Sequence, residues 1–446
     1  MRMNQPLCRT LFHHGVLVGC VLATMFLVTA WAQSTEKVLY TFTGRGDGAI
    51  PVGGLLLDQA GNVYGTASSG GSPACIYYLN VVGCGVAFEL SPTSNGGWTE
   101  KILYNFQGGL DGAFPASDLI PDKQGNLYGT TSGGGGVGCN GLGCGTAFRL
   151  TRHPGGQWTE TVLHRFQGGT DGAYPNGLTF DHFGNLYGTT YSGGVPGPNC
   201  DTQFHPGGCG IVFELSPSAN GWRENILHVF SGSDGAGPIA KLIYDGSANF
   251  YASATGGGPG CCGGFGVFFE LSPNAHGTWS ETVLYSFEEN PLLGVDDGVI
   301  ADRTGKFYGT TFNGYNSWGT VFELHHNPVW NSSVLYSFGG LNANGLAPQT
   351  PPTMDRDGNL YGTTWETANN PTCNCGTVYK LTPNSDASWT ESDLYNFMGG
   401  SDGEDPFSTV TLDASGHVYG TTLAGGTGQC VTANGLGCGV VYEITQ

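Results

Sequence analysis

The stretch Asn126-Leu127-Tyr128-Gly129-Thr130-Thr131 decides the fold, because its central Tyr-Gly-Thr phrase, or a close variant, recurs along most of the chain. The seven tyrosines of this phrase are Tyr64, Tyr128, Tyr187, Tyr251, Tyr308, Tyr361 and Tyr419. They follow one another at intervals of 53 to 64 residues. A repeat of this length is one supersecondary unit that cannot bury its apolar faces alone, so neighbouring units must stack.

Each unit has the composition of a small antiparallel sheet. In the second repeat, residues 117–120, 127–131, 145–150 and 158–166 are rich in β-branched and aromatic side chains, and Gly-, Asp- and Pro-containing turns separate them. Four short strands per unit, repeated seven times, predict an all-β fold: a seven-bladed β-propeller of four-stranded antiparallel blades.

The two ends of the chain predict how the ring closes. Residues 36–42 have the pattern of a fourth strand with no strands before it, and residues 440–444 have the pattern of a third strand with no fourth strand after it. We therefore expect the N-terminal strand to complete the last blade. An open solenoid would instead need polar caps at its ends.

The first 32 residues have a different character. Arg2 and Arg9 flank a short polar start, an apolar run covers 11–30, and Ala30-Trp31-Ala32 fits a small-x-small cleavage site. We predict a signal peptide at 1–32, a single propeller domain at 33–446, and an exported protein. Two alternatives stay open: an uncleaved membrane anchor, and lipidation at Cys20, although the apolar residues that follow this cysteine disfavour lipidation.

The charge of the chain limits its partners. The leader holds two arginines and no acidic residue, so the remaining chain carries a net charge near −22. This charge argues against nucleic acid and against anionic membrane surfaces as partners. We expect a monomer without a membrane span after cleavage of the leader. No sequence pattern here indicates a cofactor or a metal site.

The twelve cysteines after the leader form six local pairs, one in each repeat except the fifth, and each pair lies in a long loop. One pair per repeat in an exported chain predicts disulfides within loops, whereas zinc sites usually gather four ligands at short spacing. The predicted disulfides join Cys75 with Cys84, Cys139 with Cys144, Cys200 with Cys209, Cys373 with Cys375, and Cys430 with Cys438. The adjacent pair Cys261-Cys262 would need a vicinal disulfide, and we leave it open.

Two phrases carry a resemblance to a known family. Leu127-Tyr128-Gly129-Thr130-Thr131 and Gly319-Thr320-Val321-Phe322-Glu323-Leu324 resemble the tandem repeat of the bacterial exported GloVer-repeat proteins. The resemblance covers nearly all of the chain after the leader. It implies export and supplies no catalytic residues. The family often carries a C-terminal anchor, whereas this sequence ends at Gln446 without a sorting tail, so we expect free secretion or retention by the N-terminal segment.

Long loops on a rigid scaffold usually carry binding residues, and an Asp-Gly phrase recurs in the loops between repeats. The aspartates are Asp47, Asp111, Asp171, Asp234, Asp297 and Asp402. They have two interpretations: a ring of carboxylates around the channel mouth that binds a cation or sugar hydroxyls, or local turn chemistry. Repetition in nearly every blade favours turn chemistry.

Departures from the repeat supply the other candidate residues. Tyr315 and Trp318 lie in the cysteine-free fifth repeat, and Trp365 directly follows a Tyr-Gly-Thr-Thr phrase. These aromatics could stack on a sugar or grip a peptide, or they could replace the missing disulfide by packing. His164 and His228 stand where most repeats have Tyr, so a packing role is expected for them.

The sequence favours a binding or interaction module, with carbohydrate or protein as the candidate ligand. The alternatives are a glycosidase- or lyase-type enzyme with carboxylates at the channel mouth, and a structural envelope protein. The sequence shows no nucleophile elbow leading into a helical pattern and no metalloprotease helix. We therefore predict no catalytic residues, and leave the choice between binding and catalysis open.

Overall fold

Alternating burial along the strands follows from the alternating side chains of the sequence. In Trp98–Asn105, for example, Thr99, Lys101 and Asn105 are exposed and the residues between them are partly or fully buried, which is the pattern of a strand with one wetter face. The computed structural model describes Ser34–Gln446 except residues 77–81, 197–199, 201–206, 259–263, 288–291, 296, 315–317, 340–344, 368–372, 374 and 432–434. The predicted signal peptide, Cys261-Cys262 and Tyr315 therefore lie outside the described residues.

The strands group into seven blades. The first strand in the chain, β1 (Thr35–Thr41), belongs to the seventh blade, which is described last. The first blade consists of β2 (Leu56–Leu57), β3 (Val63–Ala67), β4 (Val86–Pro92) and β5 (Trp98–Asn105). The second consists of β6 (Gly112–Pro115), β7 (Ile120–Pro121), β8 (Leu127–Gly134), β9 (Thr146–Arg152) and β10 (Trp158–Arg165). The third consists of β11 (Ala173–Pro175), β12 (Thr179–Phe180), β13 (Leu186–Ser192), β14 (Ile211–Ser218) and β15 (Gly221–Val229). The fourth consists of β16 (Ile243–Tyr244), β17 (Phe250–Ala254), β18 (Val267–Pro273) and β19 (Trp279–Ser286).

The remaining blades follow the same plan. The fifth consists of β20 (Leu292–Leu293), β21 (Val299–Ala301), β22 (Phe307–Thr311), β23 (Asn313–Gly314), β24 (Thr320–His326) and β25 (Trp330–Ser337). The sixth consists of β26 (Gly345–Leu346), β27 (Thr353–Met354), β28 (Leu360–Thr364), β29 (Glu366–Thr367), β30 (Thr377–Pro383) and β31 (Trp389–Asn396). The seventh consists of β32 (Glu404–Pro406), β33 (Thr411–Leu412), β34 (Val418–Ala424) and β35 (Val440–Thr445). In the described residues, the helical elements are single 3₁₀ turns at Cys139–Gly141, Gly169–Asp171 and Gly400–Asp402.

The seven-bladed propeller and its closure are confirmed. Within each blade, neighbouring strands pair antiparallel from the innermost to the outermost strand. The outermost strand of the seventh blade is β1, which pairs antiparallel with β35 from Thr35↔Thr445 to Thr41↔Val440. The described part of the chain contains no helix long and apolar enough to cross a membrane.

The innermost strand differs from the prediction. In the second blade it is not one strand at 117–120 but two pieces, Gly112–Pro115 and Ile120–Pro121, both paired with β8. Phe114 adopts a φ of 60°, a left-handed conformation that interrupts a regular ladder, and Pro115 has no N–H to donate. Tyr174 and Asp405 have the same conformation in the third and seventh blades. The chain therefore bends along the wall of the channel.

Among the described residues, the core consists of seven clusters of buried side chains, one at each boundary between neighbouring blades. At every boundary a buried phenylalanine that follows the outermost strand meets an aromatic ring on the third strand of the next blade. The ring centroids lie 5.0 to 5.4 Å apart, edge to face. The pairs are Phe42–Phe88, Phe106–Phe148, Phe166–Phe213, Phe230–Phe269, Phe287–Phe322, Phe338–Tyr379 and Phe397–Tyr442.

The tyrosine of the Tyr-Gly-Thr phrase holds the first hairpin of its blade. The hydroxyl of Tyr128 donates to Asp122 Oδ2 over 3.1 Å, and Asp122 also accepts from the backbone and side-chain N–H groups of Asn126. This network fixes the tight turn between the first and second strands. The turn aspartates thus have a structural role.

The glycine and threonine of the phrase connect neighbouring layers. A Cβ atom on Gly129 would lie 2.8 Å from Cζ of Phe148, so in this blade the ring occupies the space that a side chain would need. The hydroxyl of Thr130 donates to the carbonyl oxygen of Asn176 in the next blade over 3.1 Å. The fourth blade has Ser253 at the threonine position, and its hydroxyl still donates to Asp297 O over 2.7 Å. The phrase is therefore structural in this variant as well.

Candidate functional site

The innermost strands of all seven blades surround a central cavity of about 700 Å³. This volume is in the range of sites that bind small organic ligands. Its charged lining residues are Asp118 of the second blade, Lys241 of the fourth and Asp297 of the fifth. Asp118 Oδ1 accepts a 2.6 Å hydrogen bond from the backbone N–H of Gly54. The cavity can therefore offer a cation and two carboxylates to a polar ligand.

A second volume of about 380 Å³ adjoins the cavity, and we call it the mouth pocket. Its lining residues are Ile239, Asp297, Phe312, Gln349 and Phe407. Ile239, Asp297 and Phe407 also line the central cavity, so the two volumes share a wall. The mouth pocket lies where the innermost strands begin and the second strand of the fifth blade has just ended, which is the side of the long loops.

Trp365 extends the aromatic surface of the mouth pocket. Its ring packs against Phe312 with centroids 6.1 Å apart and planes inclined by 40°. Its backbone N–H donates to Ala347 O over 3.1 Å, which fixes the position of the residue at the end of its strand. Aromatic faces beside an amide and a carboxylate combine stacking with directional hydrogen bonding.

Five of the six Asp-Gly aspartates form hydrogen bonds within their own loop and with the strand before it. Each accepts a hydrogen bond from a backbone N–H three or four residues earlier and another from a tyrosine or histidine on the outermost strand. Asp47, for example, accepts from Thr43 N over 2.8 Å and from the hydroxyl of Tyr40 over 3.1 Å. In the described chain, none of these five lines the central cavity. The five are Asp47, Asp111, Asp171, Asp234 and Asp402.

Asp297 is placed differently from the other five. It lines both the central cavity and the mouth pocket, next to the strand Val299–Ala301. Asp297 precedes the turn aspartate of its blade, Asp302, by five residues, whereas the other five precede theirs by ten or eleven. It therefore occupies the position of Ser117 in the second blade. Of the six predicted aspartates, this one reaches the cavity.

The described residues contain five disulfides, which join the cysteine pairs that the sequence predicts. The paired Cα atoms lie 4.9 to 5.4 Å apart. The bonds join Cys75 to Cys84, Cys139 to Cys144, Cys200 to Cys209, Cys373 to Cys375, and Cys430 to Cys438.

The second cysteine of each pair lies at the end of its long loop, directly before the glycine that leads into the third strand, and is buried in the scaffold. Its carbonyl oxygen accepts a 2.8 to 3.1 Å hydrogen bond from a backbone N–H at the innermost chain of the next blade. These second cysteines are Cys84, Cys144, Cys209, Cys375 and Cys438, and Cys200 is buried as well. They serve as scaffold anchors for the loops and contribute nothing to the lining of the cavity.

Four of the disulfides lie against a glycine just after an outermost strand, where a Cβ would come within about 3 Å of sulfur. These glycines are Gly44, Gly108, Gly168 and Gly399. A side chain at these positions would displace the sulfur atoms. Each of these disulfides thus packs its long loop against the end of an outermost strand.

Trp318 replaces the disulfide in the fifth blade. Trp318 directly precedes Gly319, as Cys84 directly precedes Gly85. Its ring packs against Gly339, where an added Cβ atom would lie 2.4 Å from Cδ1 of the ring. Its carbonyl oxygen accepts from Ala347 N over 2.7 Å, as the carbonyl oxygen of Cys84 accepts from the next blade. The side chain remains 56% exposed. This placement favours the packing interpretation of Trp318 over ligand binding.

A second set of carboxylates joins the outermost strands of neighbouring blades. Glu100 faces Asp47 across one boundary, and burial followed by the Asp47 charge raises the pKa of Glu100 to about 7. Burial and Asp402 likewise raise the pKa of Glu36 to about 7. A tyrosine donates to the aspartate at both boundaries, Tyr40 to Asp47 and Tyr395 to Asp402. These pairs are buried polar contacts of the scaffold.

At two adjacent boundaries a histidine takes the place of this tyrosine. His164 Nε2 lies 3.2 Å from Asp171 Oδ1 and 3.7 Å from Glu224 Oε1. Although burial opposes it, hydrogen bonds from His164 and Glu224 lower the pKa of Asp171. Burial and the Asp171 carboxylate raise the pKa of Glu224. One imidazole and two carboxylates thus converge between the second and third blades.

The next boundary repeats this arrangement. His228 Nε2 lies 3.1 Å from Asp234 Oδ2, and Glu281 completes the group from the fourth blade. In each group, one ligand atom from each residue lies within 4.8 Å of the others. The sequence predicts a packing role for the two histidines, and they do pack on Phe166 and Phe230 with centroids 4.7 Å away. The glutamates are not among the predicted site residues, although they recur two residues after a tryptophan and this signal aligns them with the histidines of the preceding repeat.

Similar folds occur among solved structures. The luciferin-regenerating enzyme is 12% identical, with 93% of this chain and 95% of that chain covered and a TM-score of 0.43. The extracellular domain of a putative hybrid two-component system from B. thetaiotaomicron is 12% identical, with 93% and 42% covered and a TM-score of 0.49. Ulvan lyase, a polysaccharide lyase, is 12% identical, with 86% and 93% covered and a TM-score of 0.49. Among curated proteins, no sequence relative is found.

The repeat itself identifies the family. The model of the Gloeobacter/Verrucomicrobia repeat matches residues 22–265 and again 263–446, which together span nearly the whole propeller. The match agrees with the seven structural repeats and with the resemblance of the Tyr-Gly-Thr phrases. The chain therefore belongs to the Gloeobacter/Verrucomicrobia repeat family.

Proposed function

We propose that this protein is an exported carbohydrate-binding propeller that takes its ligand at the mouth pocket and the adjoining central cavity. The observation that carries the proposal is the lining of the mouth pocket by Phe312 and Phe407 together with Gln349 and Asp297. Sugar rings present C–H faces to aromatic side chains and hydroxyl groups to amides and carboxylates. This lining offers both kinds of contact.

Size and charge support a saccharide over a nucleic acid or an anionic membrane. The cavity of about 700 Å³ is large enough for a short oligosaccharide. Its lining carries one lysine and two aspartates, and the chain as a whole is strongly acidic. A neutral or cationic glycan therefore suits this site better than a polyanion does.

The proposed export rests on the five disulfides and on the apolar leader. Disulfides form and persist in oxidising compartments. The leader at 1–32 acts as a signal peptide in this proposal, and the domain at 33–446 binds its ligand as a monomer outside the cytoplasm.

A glycan array followed by calorimetry tests the proposal. We expect a defined oligosaccharide to bind, and we expect Phe407→Ala or Phe312→Ala to weaken its affinity about tenfold. Trp365→Ala should weaken it less, because Trp365 acts through Phe312. Trp318→Ala is the matched control, since this tryptophan is exposed but packs outside the cavity, and it should leave binding unchanged.

The same experiment separates binding from catalysis. Asp118 of the second blade and Asp297 of the fifth blade both line the cavity. Glycosidases catalyse hydrolysis with a pair of carboxyl groups of this kind. Chromatography of the bound glycan should recover it intact. A shortened glycan whose formation stops in Asp297→Asn would replace the binding proposal with the enzyme, and an array without any bound glycan would remove carbohydrate as the ligand.

A further inference from the structure

We propose that the two groups His164–Asp171–Glu224 and His228–Asp234–Glu281 are metal sites that each bind one divalent first-row transition ion, such as Zn²⁺ or Mn²⁺. We call them the second–third site and the third–fourth site, after the blades that they join. Both lie among the outermost strands and their loops, away from the residues that line the central cavity.

The distances fit coordination by one ion. His164 Nε2 lies 3.2 Å from Asp171 and 3.7 Å from Glu224, which is near the spacing of neighbouring ligand atoms around a transition metal. The side chains are 12% to 23% exposed, so water can complete the coordination sphere. Three protein ligands plus water is a common arrangement for zinc.

The donor set selects the class of ion. An imidazole nitrogen with two carboxylate oxygens suits Zn²⁺ and Mn²⁺, whereas Ca²⁺ prefers oxygen ligands alone. The described cysteines are engaged in disulfides, so thiolate does not compete with these groups. We therefore expect Zn²⁺ or Mn²⁺ to bind and Ca²⁺ not to bind at these two boundaries.

The fold supplies its own comparison. At the boundary between the first and second blades, Asp111 and Glu160 repeat the two carboxylates, but Tyr104 stands at the histidine position and donates to Asp111 over 3.1 Å. Burial and the nearby carboxylates raise the pKa of the Tyr104 phenol, so it keeps its proton and does not act as a ligand. Histidine is therefore the residue that turns a hydrogen-bonded boundary into a metal site.

Each ion would join two blades that are otherwise joined there by side-chain packing and hydrogen bonds. His164 and Asp171 belong to the second blade and the loop after it, whereas Glu224 lies on the outermost strand of the third. The third–fourth site repeats this relation one blade further on. Two ions would thus link three consecutive blades, and ions bound to the folded chain alone raise its stability.

Equilibrium dialysis of the full chain against ZnCl₂ without reductant, followed by metal analysis, tests the inference. We expect two bound ions per chain in the parent protein and one in either His164→Tyr or His228→Tyr. The double variant should have lost both ions. Tyr is the natural residue at the other boundaries, so these variants should fold, and circular dichroism checks that they do. The converse variant, Tyr104→His, should bind three ions.

Thermal denaturation gives an independent measurement. Zn²⁺ should raise the melting temperature of the parent chain more than that of His164→Tyr/His228→Tyr, and Ca²⁺ should raise neither. The inference fails if the double variant binds as much Zn²⁺ as the parent, or if the parent binds none. A parent chain that binds no ion would leave these groups as hydrogen-bonded contacts between blades, like the tyrosine–aspartate contacts at the other boundaries.

Discussion

The hydroxyl of Thr421 donates a 3.0 Å hydrogen bond to the carbonyl oxygen of Pro51, which lies 370 residues earlier in the chain. Thr421 is buried in the second strand of the seventh blade, and Pro51 lies at the start of the innermost chain of the first. The bond is the ring-closing copy of a contact that Thr130 makes to Asn176. The last blade and the first are therefore joined as two consecutive blades are.

Removing this hydroxyl should destabilise the ring. Thr421→Val keeps the shape of the side chain but leaves the Pro51 carbonyl unpaired in a buried site, which costs about 1–3 kcal/mol. Urea denaturation should show the loss. Thr445→Val is the control, because the hydroxyl of Thr445 is exposed and bonds to Thr35, and it should change the free energy of unfolding by less than about 0.5 kcal/mol. Equal losses in the two variants would contradict a special role for the ring-closing bond.

Adding one methyl group to the Tyr-Gly-Thr phrase should also destabilise the fold. Gly129→Ala places a Cβ 2.8 Å from Phe148 and 3.2 Å from Leu119, and overpacking of this kind costs about 1–3 kcal/mol. The fourth blade carries Ala252 at this position, opposite Phe269, so the prediction applies to the second blade. Gly46→Ala meets no atom within 4 Å and should be nearly neutral in the same denaturation experiment. A neutral Gly129→Ala would refute the packing argument.

The disulfides should stabilise by closing their loops. Cys139→Ala/Cys144→Ala opens a loop of five residues, and the chain-entropy relation gives a loss of about 2 kcal/mol. Val137→Ala, at an exposed position two residues before the disulfide-closed loop, serves as the control. Peptide mapping without reductant should find Cys139 joined to Cys144 in the parent chain. Pairing of either cysteine with another repeat would contradict the structure.

Stability should depend on pH through the partly buried glutamates of the tyrosine boundaries. The folded pKa of Glu100, about 7, lies above its ordinary value of 4.5, so the folded state holds the proton more tightly. This contribution is fully present below about pH 4.5 and is lost as the pH rises through about 7. Glu100→Gln should therefore be more stable than the parent at pH 8, and the difference should shrink at pH 4.

Urea denaturation at the two pH values measures this difference. Asp357→Asn removes an exposed carboxylate from a hairpin turn and should shift stability equally at both. If Glu100→Gln and the parent keep the same stability difference at pH 4 and pH 8, Glu100 does not carry the effect.

The fold was predictable because each residue of the repeated phrase has a structural task that only a few residue types perform. Tyr128 reaches the hairpin turn, Gly129 makes room for Phe148, and Thr130 bonds to the next blade. The periodicity of the sequence therefore reports the periodicity of the structure. The split of the innermost strand was not predicted, because it depends on the left-handed backbone conformation of Phe114. Nothing about a phenylalanine side chain indicates that conformation in the sequence.

The candidate sites were less predictable, because they form between units that are far apart in sequence. His164 and Glu224 lie 60 residues apart and meet only because their blades are neighbours. The residues that line the cavity come from seven separate repeats. Most of the predicted loop aspartates do not point into the channel, because they bond to the backbone of their own loops. Asp297 could have been distinguished earlier, since its distance to the turn aspartate is half that of the others.

The pairing of β1 with β35 has a mechanical consequence. Thr35 and Thr445 are partners at one end of two antiparallel strands, so a force applied at these two residues would load the hydrogen bonds one after another. β1 would then separate from β35 one hydrogen bond at a time, which requires only a low force. Tension applied between two interior blades would meet whole aromatic interfaces at once, and the molecule should resist it far longer.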